Sequence, residues 1–125
     1  MEIREKLKEY FLRYTAVPSQ SLADAPQVPS TPGQTVLAEM LAGDLYALGL
    51  CGIEISEYSV VTAHLPARLP EGCGKVPVIG WCCHMDTVDV GLSPVIKPVL
   101  VRSYPGGDIC QNEDMQIYIS AGEHP

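Results

Sequence analysis

The stretch VPVIGWCC, residues 76 to 83, is a compact apolar run bounded by turn-forming residues on one side and polar residues on the other. Its length and its β-branched Val76, Val78 and Ile79 favour a buried strand over a helix. A strand of that kind constrains the rest of the chain. It needs a partner along its edges and an apolar layer against its faces. The run ends in His-Met-Asp-Thr, residues 84 to 87. Polar chemistry therefore begins where the strand should stop, and in α/β sheets sites gather at the carboxyl ends of strands.

The segments before this run supply candidate layers. Ile3, Leu7, Tyr10, Phe11 and Tyr14 recur at steps of three and four, which predicts a first helix with one apolar face. Val17-Pro18 should end it, because the residue before proline avoids the α region. Residues 18 to 33 are rich in Ser, Pro and Ala and read as a loop. A second helix is predicted from STPGQT: Thr31 can cap, Pro32 suits the first helical position, and Gln34 completes a capping box. It would turn Val36, Leu37, Met40, Leu41, Leu45 and Leu48 inward and stop at Gly49. CGIEISEYSVV alternates in part, with Ile53 and Ile55 on one side, and predicts a strand. A second strand through TAHL would be cut short by Pro66, and EGCGK would turn. From Gly91 onward prolines and glycines predict irregular structure, with one last short strand within residues 115 to 120. Two helices followed by a mixed β-sheet make an α/β domain, with the run from Val76 at the centre of the sheet.

At 125 residues the chain has the length of one ordinary domain. Its formal net charge is −7, and the eight Lys and Arg form no basic patch, which argues against nucleic acid and against an anionic membrane surface. MEIREKLKEY has no apolar signal core, and no run has the length of a membrane span. Five cysteines, with none at C-x-x-C spacing, predict reduced thiols and a cytoplasmic location.

His84 and Asp86 are the candidate site residues. Imidazole is the commonest transition-metal ligand near neutral pH. A carboxylate two residues later cannot easily chelate the same ion from an extended chain, but it can accept the other ring N–H and fix the tautomer. His-x-Asp is also a frequent chance pattern. A partly buried histidine beside a loop-capping aspartate fits the same spacing. Cys82 next to His84 would make a Cys-x-His half-site, yet no second half-site follows, so Cys82 and Cys83 read as small core residues. His64 and His124 are isolated; His64 falls in a probable strand, as surface or packing. Thr87 and Asp89 suit bonds to backbone groups after the strand.

Taken in order, the motifs resemble the N-terminal part of the peptidase T branch of the M20 family of dizinc peptidases. FLRYTAVPSQS resembles the family's opening helix and loop, and VPSTPGQTVLAEMLAGDLYALGL its second helix. VTAHLPA and VPVIGWCCHMDTVD resemble its early strand and its metal-bearing strand, and SPVIKPVLVRSYPGGDICQNED the stretch that follows.

The resemblance implies that His84 binds one zinc of a pair and that Asp86 orients it. It implies an aminopeptidase that releases the N-terminal residue of tripeptides, with two zincs in a complete site. The general-base glutamate, the remaining ligands and the lid or dimerisation domain have no counterpart here. Glu113 and Asp114 precede the expected position of the family's bridging aspartate and receive no role. Residues 1 to 125 thus read as an incomplete part of a catalytic domain, expected to be inactive alone and to self-associate through an unpaired sheet edge. A non-enzymatic interaction module, or a small structural-metal protein using Cys82, His84 and Asp86, are the alternatives.

Overall fold

The computed structural model describes residues 2 to 123; His124 lies outside them. Helix α1 (Ile3–Thr15) is followed by α2 (Pro32–Ala47), β1 (Cys51–Ile55), β2 (Val61–His64), β3 (Ile109–Asn112) and β4 (Ile117–Ile119).

The second helix forms where its capping signals place it. Gln34 Oε1 accepts the backbone N–H of Thr31 at 3.3 Å, the returning arm of the predicted capping box. At the other end Leu50 N donates to Leu45 O (3.1 Å) and Gly49 N to Tyr46 O (2.9 Å). These are the paired bonds of a Schellman motif, and Gly49 holds the φ of +86° that the motif requires. Helix α2 packs on the β1–β2 hairpin, and Leu37 and Ala38 are 4% and 0% exposed there. Val36 and Leu48, also expected inward, are exposed.

Helix α1 docks on α2 through polar groups. Arg13 pairs with Asp44, and Tyr14 Oη donates to Asp44 Oδ2 at 2.8 Å. The ring of Tyr10 stacks on Tyr14 at 5.6 Å, beneath the Arg13 guanidinium. Ile3, Leu7 and Phe11, on the apolar face of α1, remain exposed.

The strands do not merge into one mixed sheet. They form two separate antiparallel hairpins, β1–β2 and β3–β4. Both are built by local turns. In the first, Ser56 N donates to Val60 O at 2.9 Å and Ser59 takes a φ of +59°. In the second, Asn112 Oδ1 accepts Met115 N at 2.9 Å and Gln116 sits at +52°. Strand β3 was not expected; Ile109 is its single β-branched residue.

The segment expected at the centre of the sheet is not a strand. Residues 73 to 85 contain no helix, strand or turn, and Val78 and Trp81 are 92% and 95% exposed. A strand exists only as part of a ladder. The two hairpins pair within themselves, and among the described residues none of their outer edges pairs with residues 76 to 83. Cys82 and Cys83 accordingly lie exposed rather than in a core.

Candidate functional site

Met85 to Asp89 are held by a loop more than sixty residues earlier in the chain. Ser21 N donates to Thr87 O at 2.9 Å, Thr87 N to Ser19 O at 3.4 Å, and Gln20 and Thr87 form a parallel bridge. The hydroxyl of Ser19, itself buried, donates to Met85 O at 3.4 Å. Ser21 Oγ adds a bond to Thr87 O at 3.2 Å, and Gln20 Nε2 reaches Val88 O at 3.4 Å.

Loop 19–21 is itself seated on α2. Thr31 Oγ1 donates to Gln20 O at 2.8 Å. Gly33 lies so close to the loop that a Cβ there would stand 1.8 Å from Pro18 O. The absence of a side chain at residue 33 is therefore what lets the loop reach the segment beside His84.

Within this frame His84 Nδ1 lies 2.9 Å from the carbonyl oxygen of Asp86 and 3.2 Å from its Oδ1. Both partners are acceptors. With two acceptors at Nδ1, that nitrogen is the donor to Asp86. The imidazole is 84% exposed and the Asp86 carboxylate half-buried. The pair borders a cleft of about 700 Å³ between α2, the β1–β2 turn and residues 81 to 86. Leu41, Leu45, Tyr58 and Val60 give its wall an apolar character.

The expected ligand and its expected orienter are thus brought together. Cys82 is not added to them: among the described residues no group of three or more His, Cys, Asp or Glu side chains converges on one point. His64 is exposed in β2, across from Cys51. Asp89 Oδ1 accepts Gly91 N at 3.0 Å, the backbone role expected of it. Glu113 and Asp114 lie in the β3–β4 turn.

Ser19, Gln20 and Ser21 escaped the reading of the sequence. Their only local signal is a Ser-x-Ser in a loop, and what they hold is remote along the chain.

No protein-family model matches the chain. Individual proteins do. A peptidase T-like protein of Yersinia pestis is 47% identical over 123 residues, which is 98% of this chain and 29% of that protein. A peptidase T-like protein of Rhizobium meliloti is 40% identical over the whole chain and 29% of its own length. Peptidase T of Geobacillus kaustophilus is 38% identical over 98% of the chain, again 29% of its length. The chain spans about 29% of the length of each of these relatives. Similarity of this order extends over nearly the whole of this chain, and the proteins that share it are named peptidase T or peptidase T-like.

Proposed function

We propose that this chain contributes the first metal-ligand position of a zinc-dependent aminopeptidase of the M20 type, acting on tripeptides, with His84 as ligand and Asp86 as its orienter. The observation that carries the proposal is the Asp86–His84 contact. By occupying Nδ1 it directs the basic Nε2 outward, the arrangement found behind metal-bound histidines. The names of the relatives supply the reaction class, and the tripeptide substrate follows from the peptidase T resemblance.

The donor set fits a metal as one ligand and one orienter. Zinc held tightly takes three or four protein ligands, so the chain by itself binds weakly. A zinc held in a completed site would supply polarisation of the scissile carbonyl and activation of a water. His84 would contribute one ring nitrogen, Nε2, to that site. Asp86 would hold the ring by its Nδ1–H and leave Nε2 for the metal. The loop 19–21 fixes the backbone on which both stand.

Joining the chain to the remaining length of a peptidase T relative tests the proposal. The extended protein should hydrolyse tripeptides when loaded with zinc, and His84→Ala should abolish turnover and one equivalent of metal. The 125-residue chain alone should show neither activity nor tight zinc. Full activity and full metal content in the extended His84→Ala variant would refute the assignment.

A further inference from the structure

The His84 imidazole is 84% exposed, and among the described residues its ring nitrogens bond to Asp86 alone. Packing therefore does not hold the ring. The nearer of its two acceptors is a backbone atom, the carbonyl oxygen of Asp86 at 2.9 Å. A side chain reaches a carbonyl two residues on only while the backbone between them keeps the right angles. The peptide joining Met85 to Asp86 is thus what aims the ring.

We propose that Ser19 is a positioning residue for His84, with its hydroxyl acting through the Met85–Asp86 peptide. The proposal deepens the metal role given to His84 and rests on that reading.

Ser19 Oγ donates to Met85 O at 3.4 Å, and among the described residues no other donor reaches that carbonyl. The bond is long, yet the hydroxyl has nowhere else to turn. Ser19 is 4% exposed, so water does not compete for its proton, and a buried donor without an acceptor is costly. The carbonyl of the same residue takes Thr87 N at 3.4 Å. Ser19 therefore grips the chain on both sides of Asp86.

Ser21 supplies the contrast. Its Oγ donates to Thr87 O at 3.2 Å, but its own backbone N–H already holds that oxygen at 2.9 Å. The Ser21 hydroxyl duplicates a backbone bond, and the Ser19 hydroxyl has no substitute. Alanine at either position removes one oxygen atom from the same loop, so the two variants differ in which carbonyl they release.

Nitrogen-15 spectra of the imidazoles, taken on the metal-free 125-residue chain at mildly alkaline pH, read the ring directly. In the parent chain His84 Nδ1 should appear protonated. Ser19→Ala should shift that signal toward the average of a ring that exchanges its proton between both nitrogens, and should speed amide exchange at Thr87. Ser21→Ala should leave the Nδ1 signal in place. The far-ultraviolet helix signal of α1 and α2 should be the same in both variants. A merely structural loosening of the loop would move both together. An Nδ1 signal in Ser19→Ala equal to the parent's would overturn the inference, and so would equal shifts in the two variants. Zinc alone, added to the same samples, tests the metal role separately. It should shift His84 Nε2 in the parent chain, and Ser19→Ala should need about tenfold more zinc for the same shift. A parent chain in which zinc leaves His84 unmoved would refute the metal role, while the metal-free comparison still decides whether Ser19 sets the ring.

Discussion

At Asp86 two acceptors compete for one proton. The backbone carbonyl is the nearer partner of His84 Nδ1, at 2.9 Å, and the carboxylate stands at 3.2 Å. A side-chain truncation removes only the second. Asp86→Ala should therefore keep the proton on Nδ1, visible in nitrogen-15 spectra of the imidazole, while loosening the ring that presents Nε2. Losses from removing such partners run about 10–100-fold in metal affinity or activity. The retained carbonyl places this one near the lower bound in the extended protein. An Nε2–H tautomer in Asp86→Ala would show that the carbonyl does not hold the ring. Gly33 sets a different limit. The atom facing its missing Cβ is a backbone oxygen, which cannot swing aside as a side-chain end can. Gly33→Ala should cost about 1–3 kcal/mol, the usual range for overpacking. Because Pro18 and Ser19 move first, faster hydrogen exchange should appear at residues 85 to 89 before it spreads along α2. Slow exchange there, with the loss confined to α2, would separate the loop from the site.

Among elements, the α1–α2 contact depends on charge because α1 buries none of its residues. The Arg13 guanidinium holds the Asp44 carboxyl below the ordinary value of 3.8, helped by the Tyr14 hydroxyl and opposed by partial burial. A carboxylate with a lowered folded value adds stability that is present above the unfolded value and is lost as pH falls through the folded one. The contact should therefore loosen below about pH 3.8. Tyr14 works at the other extreme. Burial, with the bond to Asp44, pushes its hydroxyl from 10.0 up to about 12. A raised folded value favours the neutral phenol in the folded chain, so that contribution is lost as pH climbs from 10 toward 12. Asp44→Asn should remove the acid step and weaken the alkaline one. The measurement is near-ultraviolet dichroism of Tyr10 and Tyr14 against pH; an unchanged acid transition in Asp44→Asn would assign it to other carboxylates.

The same scale shows why some elements were legible in the sequence. Helix α2, the β1–β2 hairpin and the Asp86–His84 contact are all specified by residues close in sequence: a capping box, a Gly49 stop, and two groups two positions apart. Residues 76 to 83 have the composition of a strand, but a strand is specified by its neighbour, and composition does not name one. Ser19 and Met85 are 66 positions apart, so their bond leaves no local trace.

For the whole molecule the deciding quantity is surface. A compact chain of 13.5 kDa exposes about 6,500 Å². This chain exposes 10373 Å², and Val17, Leu37 and Ala38 are its buried apolar residues among those described. It hides about half of the surface its unfolded chain would show, where a chain of this mass ordinarily hides about two thirds. Apolar burial is the main favourable term in folding. The heat-capacity change follows the same exposed apolar area. A domain of this length ordinarily absorbs roughly 90 kcal/mol at its melting point. Diluted below any self-association, this chain should absorb well under that amount, over a broad range, and its dependence on urea should be correspondingly shallow. Zinc should not sharpen the transition, since one imidazole cannot bind it tightly enough to shift the equilibrium. Calorimetry of the dilute chain, with and without zinc, checks both expectations. A narrow transition of full enthalpy in the dilute monomer would mean that Leu37 and Ala38 anchor a larger cooperative core than their surroundings supply.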